Sequence, residues 1–214
     1  MPLVYHEWIQ QDLQIGLWKI TESIEELISM LFLNKEEFDT LESFGNDARR
    51  KQWLSYRALI RNLVKADYIY RIYYDKNNKP YLVNPQRAIS ISHCSDYAAV
   101  LISEDIHSKY GIDIEPVNSK ILKVVEKFMN KEELSEWEKT KNLEKAIAYW
   151  TFKEAVFKAF GKKTITLKGN IHINPFSFDD TIFEGNIIKR NLTLKYTLQL
   201  RRFQNIFISF AKKT

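Results

Sequence analysis

In the short run Gly111-Ile112-Asp113-Ile114-Glu115, β-branched residues alternate with acids. That alternation is the pattern of a β-strand, whose successive side chains point to opposite faces. Ile112 and Ile114 then share a face directed into packing, and Asp113 and Glu115 share the other. Two acids on one face repel unless a cation lies between them. Hard divalent ions such as Mg²⁺ take oxygen ligands, often one or two carboxylates together with substrate phosphates. Gly111 allows close backbone approach or a bulge. An exposed polar strand face accounts for a lone Asp-x-Glu just as simply, so the reading turns on a second stretch nearer the C-terminus.

The second half of the pattern is Trp150-Thr151-Phe152-Lys153-Glu154-Ala155-Val156-Phe157-Lys158. Helical periodicity runs from about Asn142 through Phe160, with Gly161 at its stop. Phe152, Ala155, Val156 and Ala159 make an apolar stripe. Trp150, Glu154 and Lys158 are spaced by four and share another face. A third carboxylate and a lysine are therefore aligned one turn apart. A surface Glu–Lys pair, worth only ~0.2–0.5 kcal/mol, is one account of them. The other places Glu154 on a metal held by Asp113 and Glu115, with Lys158 on the same phosphate.

Around these two stretches the chain of 214 residues reads as α+β. Residues 3–20 read as a strand. Thr21 caps a helix carrying Ile24, Leu27, Ile28, Leu31 and Phe32, and Asn34 starts a shorter one through Leu41. A longer helix spans roughly 46–65. Trp53, Leu54, Ala58, Leu59, Leu63 and Val64 form its apolar stripe, while Arg49, Arg50, Lys51, Arg57, Arg61 and Lys65 form a basic side. That side is either a solvated face or a partial phosphate contact. Strands follow at 68–74, 88–92 and 97–103, with a turn at Asp75–Pro80. After Pro116 come a helix over 119–128 and another capped by Asn130, with Glu133 in the capping-box position. Beyond Lys163 strands return at 164–173, 193–200 and 203–211, and 174–191 reads as loop, turn and a short edge strand. A strand–helix–strand order recurs in each half, so two α+β halves, 1–105 and 106–214, are expected.

Composition narrows the function classes. Hydrophobic residues make up 45% of the chain, enough for a sizeable core, and the net charge of +5 permits an anionic partner, whether nucleic acid, a phosphorylated cofactor or an acidic protein. Cys94 is the single cysteine, which excludes an internal disulfide. No apolar run has the length of a membrane span, and the first residues lack a signal pattern, so a soluble cytoplasmic protein without a membrane partner is expected. A nucleic-acid-binding module would interleave aromatics with a basic stripe, whereas Trp and Phe here fall mostly on apolar stripes. A different Mg²⁺-dependent phosphotransferase would ordinarily show a glycine-rich phosphate loop, and no such run occurs among the six glycines.

The paired signature Gly-Ile-Asp-Ile-Glu and Trp-Thr-Phe-Lys-Glu-Ala-Val-Phe-Lys resembles that of the 4′-phosphopantetheinyl transferases. Asn78-Lys79-Pro80-Tyr81-Leu82 and Ile89-Ser90-Ile91-Ser92-His93 resemble two further family segments, with Asn78 where Gly is usual and Ser90 where Asn is usual. Together with Phe128–Glu133 they cover about 79–163 in family order. The length, and the presence of a substantial part before Gly111, resemble the larger monomeric, surfactin-synthetase-activating type, whose fold is a pair of similar halves; the region before residue 70 matches only loosely.

This resemblance implies transfer of the phosphopantetheine arm of coenzyme A to a serine of an apo acyl or peptidyl carrier protein, with release of 3′,5′-ADP. It implies Mg²⁺ held by Asp113, Glu115 and Glu154, with Glu154 accepting the serine proton directly or through water. Lys158 and Lys153 would face phosphate oxygens. Glu133 aligns with a further acidic residue, Glu132 being one position away. Lys79, Ser92 and His93 match positions at the adenosine end and its 3′-phosphate, and Arg50, Lys51 or Arg57 would add to that contact. Another Mg²⁺-dependent phosphotransferase, or a coenzyme A-binding homologue without transferase activity, is the alternative.

Overall fold

The structure is a computed structural model that describes residues 2–65, 69–190 and 192–214. It divides into two compact units, Met1–Tyr73 with Tyr81–Ile106 and Tyr74–Pro80 with His107–Thr214. Each has an antiparallel sheet and one helix of 18 residues, so the fold is α+β. Among the described residues no helix is long and apolar enough to cross a membrane.

The first unit opens with a hairpin, β1 (Leu3–Gln10) and β2 (Leu13–Lys19), where the sequence pattern suggested one strand. The two strands bury their residues differently. Leu13–Trp18 are all buried, because β2 lies inside the sheet, while β1 at the edge is half exposed. Helix α1 (Ile24–Ser29) starts two residues later than the Thr21 cap would place it. Ser23 accepts from Glu26 N, and the Glu26 carboxylate accepts from Ser23 N, closing a capping box. Helix α2 (Lys35–Ser43) is capped by Asn34, as its sequence suggests. Helix α3 (Asp47–Val64) ends at Lys65 in the left-handed region. Its buried stripe packs with Trp18, Val100 and Ile102. Strands β3 (Arg71–Tyr74), β4 (Pro80–Val83), β5 (Arg87–Cys94) and β6 (Tyr97–Ser103) complete a sheet of order β1-β2-β6-β5-β4-β3. The suggested start of β3, Tyr68, lies outside the described residues.

The second unit begins with β7 (Tyr110–Pro116). The expected helix over 119–128 is instead a 3₁₀ turn, Ser119–Lys123, and a short α4 (Val125–Phe128), broken at Val124, whose ψ of 7° departs from helical geometry. Helix α5 (Lys131–Glu138) carries the Asn130–Glu133 capping box, and α6 (Leu143–Phe160) runs from Asn142 to Gly161 as its pattern predicts. The segment 164–173, expected as a strand, holds α7 (Leu167–Asn170), capped by Thr166, before β8 (Ile171–Ile173). Strand β9 (Phe183–Lys189) is not an edge strand; it lies between β8 and β10 (Leu192–Phe203). Its Phe183, Gly185 and Ile187 alternate into the core. With β11 (Ile206–Lys213) the order is β7-β11-β10-β9-β8.

Candidate active site

The second unit is built around the crossing of β7 and α6. A Cβ at Gly111 would sit inside the contact shell of the Ala155 carbonyl oxygen and 2.5 Å from Ala159 N, so only glycine allows the approach. Strand alternation then turns Asp113 and Glu115 to the helix, as Gly111 is, and Ile112 and Ile114 the other way. Both isoleucines are fully buried. Thr151 and Ser209 share a buried hydroxyl–hydroxyl bond of 2.6 Å that ties α6 to β11, where Ser209 pairs with Asp113.

The face of α6 that carries Trp150, Glu154 and Lys158 meets these acids. Lys158 Nζ lies 2.7 Å from Asp113 Oδ1, and the Trp150 indole N–H donates to Glu115 Oε1 at 3.1 Å. Asp113 is buried. Burial pushes the Glu115 carboxyl up to about 7, with the Asp113 charge adding to the rise and the Trp150 bond and Lys158 opposing it. Burial also raises Glu154, helped by Asp113 and opposed by Lys158. The three acids therefore feel one another's charge across the strand–helix crossing.

Among the described residues no group of three or more His, Cys, Asp or Glu side chains is drawn together closely enough to hold a metal. In this arrangement the Lys158 ammonium supplies the positive charge at Asp113. The donor chemistry nevertheless fits a hard divalent cation. It offers carboxylate oxygens alone, on two neighbouring elements, and their burial and mutual repulsion hold Glu115 and Glu154 above the ordinary carboxylate range. Asp113, Glu115 and Glu154 are the residues that would hold such an ion.

Two residues expected at the site are elsewhere. Lys153 is fully buried and forms an ion pair of 2.7 Å with Glu133, while donating to the carbonyls of Leu167 and Ile171. Glu133 also accepts from Asn130 N and Ile173 N, each at 2.8 Å. With its donors spent in this junction of α5, α6, α7 and β8, Lys153 is not available to phosphate, and Glu133 is a capping and pairing residue.

Lys79 differs from its expected role as well. Its Nζ donates to the carbonyls of Tyr110, Lys158 and Ala159 at 2.9, 2.8 and 3.3 Å, so all three ammonium hydrogens are directed at backbone. A cation against the last carbonyls of a helix is favourably placed with respect to the helix dipole. Burial lowers its pKa to about 8, with Lys109 adding and Asp75 opposing, while the three acceptors favour the charged form.

Within the first unit, His93 Nε2 and Arg49 Nη1 lie 2.6 Å apart, and the Arg49 guanidinium stacks 5.3 Å from the Phe44 ring. Arg49 is in the first turn of α3, where backbone N–H groups face outward. Ser92 is buried and His93 exposed, as opposite faces of β5 require. Arg50 bonds to Asp47 and to the Glu42 carbonyl. Lys51 is half-buried on α3. Arg57 is corrected from solvated or phosphate-facing to core: it is buried, its guanidinium lies 3.4 Å from the Trp53 ring centre, and it donates to the Tyr56 hydroxyl. Arg49, which the sequence did not single out from its neighbours, is the α3 cation set against His93. Its only signal was membership of the basic side of α3, which Arg50 and Arg57 share.

One comparison bears on the acids and the lysine of α6. Residues 109–210 match the family model of the 4′-phosphopantetheinyl transferase superfamily. The matched stretch of this superfamily domain runs from just before β7 into β11, and so contains Asp113, Glu115, Glu154 and Lys158. Lys79, Ser92, His93 and the basic residues of α3 lie outside it. No curated protein matches the chain.

Proposed function

We propose that the protein transfers the 4′-phosphopantetheine arm of coenzyme A to a serine of an apo carrier protein, in a Mg²⁺-dependent reaction that releases 3′,5′-ADP. One observation carries the reading. Within the stretch matched to the transferase superfamily, the Gly111 crossing brings Glu154 and Lys158 over Asp113 and Glu115.

The reaction forms a bond from the serine oxygen to the pantetheine-side phosphorus. It breaks the pyrophosphate P–O bond on the 3′,5′-ADP side, and the leaving phosphate keeps the electron pair. A bound divalent cation would supply Lewis-acid neutralisation of the pyrophosphate oxygens. The chain's own groups do the remainder. Glu154, which reaches the crossing from α6, takes the serine proton as general base. Lys158 exchanges its contact with Asp113 for a phosphate oxygen, stabilising charge that builds as the bond breaks. In the first unit, Arg49 provides a charge-assisted contact for the 3′-phosphate, with His93 beside it.

The test is incubation with coenzyme A, Mg²⁺ and a panel of apo acyl and peptidyl carrier proteins, read by intact mass. Addition of one phosphopantetheine to at least one carrier is expected. An unchanged mass for every carrier in the panel, with coenzyme A left intact, would overturn the proposal.

A further inference from the structure

Trp150 shares the acid-facing side of α6 but carries no charge, and the transfer chemistry gives it no task. Its placement is nevertheless specific. The indole N–H is directed at one oxygen, Glu115 Oε1, at 3.1 Å. The ring is held edge-on to Phe128 with centroids 5.2 Å apart, and Phe128 is itself fully buried. A donor on a ring fixed in this way has little rotamer freedom. The carboxylate it bonds cannot rotate about its last torsion without giving up the bond. Glu115 is otherwise poorly held in place, since it is the more exposed acid of the pair and lies near the end of an edge strand. The other acid of that strand, Asp113, is buried and paired with Lys158.

We propose that Trp150 is a positioning residue whose N–H fixes the orientation of the Glu115 carboxylate for a divalent cation, and whose own fluorescence reports arrival of that cation. This rests on the reading of Asp113, Glu115 and Glu154 as the metal-holding set. Outer partners of metal ligands commonly govern affinity by about 10–100-fold without touching the ion, because they fix ligand direction and charge. A neutral N–H donor suits the task. It orients the carboxylate without neutralising it, as a lysine or arginine at the same place would.

The experiment uses the full chain, freed of metal, titrated with Mg²⁺ in the presence and absence of coenzyme A, by calorimetry and by indole emission. Trp150→Phe keeps an aromatic ring against Phe128 and removes only the N–H. Trp150→His restores a ring N–H donor. The wild type should bind Mg²⁺ with a change in emission. Trp150→Phe should bind it about 10-fold or more weakly and lose most of that change, although the four other tryptophans remain. Trp150→His should recover part of the affinity, which a purely space-filling role for the indole would not produce. Thermal melts in chelator separate loss of fold from loss of affinity, and if Trp150→Phe does not fold, the wild-type emission change and the Trp150→His affinity carry the test. Equal Mg²⁺ affinity for wild type and Trp150→Phe would overturn the positioning role and leave the metal-holding set standing. Absence of Mg²⁺ binding by the wild type, with and without coenzyme A, would overturn both.

Discussion

Gly111 and Ala155 lie so close that no side chain fits between β7 and α6 at that point. The geometry of the candidate site depends on this contact, because it sets both the height of the helix over the strand and the face that Asp113 and Glu115 present. Gly111→Ala would drive its Cβ against backbone atoms, which cannot yield as a flexible side chain can. The expected cost is about 3 kcal/mol or more, at the upper end for overpacking, measured as a drop in the urea midpoint. A midpoint equal to that of the wild type would mean that the crossing is loose enough to admit a methyl group.

The buried pair Lys153–Glu133 predicts a different phenotype. Lys153→Met removes one partner and leaves a carboxylate enclosed, a change that costs about 3–5 kcal/mol. Protein that remains folded at low temperature should still add phosphopantetheine to its carrier within about threefold of the wild-type rate, since no step in the mechanism uses Lys153. Stability unchanged, with activity lost, would return Lys153 to the site.

Glu115 gives a pH dependence with a definite sign. Its folded pKa, about 7, is above the ordinary 4.5, so the native state binds the proton more tightly than the unfolded chain. In chelator, its contribution should make the protein more stable as pH falls from about 7 to about 4.5, with the full penalty present above 7. Glu115→Gln, which carries no charge at any pH, should flatten that part of the profile and melt higher than wild type at pH 8. Parallel profiles for the two proteins would show that Glu115 is not raised.

Arg49 and His93 predict discrimination by the cofactor's 3′-phosphate. Coenzyme A should bind more tightly than dephospho-coenzyme A. Arg49→Ala or His93→Ala should each remove much of a preference worth about 1.5–3 kcal/mol by calorimetry. Lys79→Met should leave the preference in place and lower the melting temperature instead, because Lys79 is bonded to the carbonyls of Tyr110, Lys158 and Ala159. If Lys79→Met alone abolishes the preference, the lysine leaves those carbonyls to meet phosphate.

These contrasts show what was legible in the sequence. The faces of 111–115 and the i, i+4 alignment of Trp150, Glu154 and Lys158 follow from backbone periodicity alone, and the structure has them in that form. What periodicity does not encode is which of several similar cations is buried. Lys153 and Lys158 stand in one motif, but a difference of five residues turns the first into the core and leaves the second beside Asp113. Arg49 and Arg57 share one helix, and Trp53, Tyr56 and the Glu37 carboxylate take Arg57 inside. The segment 164–173 reads as a longer strand than β8. The Thr166 cap, a local hydrogen bond from Gly169 N, turned the first part into α7.

The most direct test of the mechanism is the rate of phosphopantetheine addition by Glu154→Gln, followed by intact mass on a carrier that the wild type modifies. Gln keeps the size of the side chain but can neither take a proton nor offer a charged oxygen to a cation. The rate should fall by about 100-fold or more, the scale associated with loss of a positioned acid–base group, while the melting temperature in chelator stays level or rises as one of three mutually repelling acids is removed. A rate within threefold of the wild type would contradict the account and remove Glu154 from the transfer step.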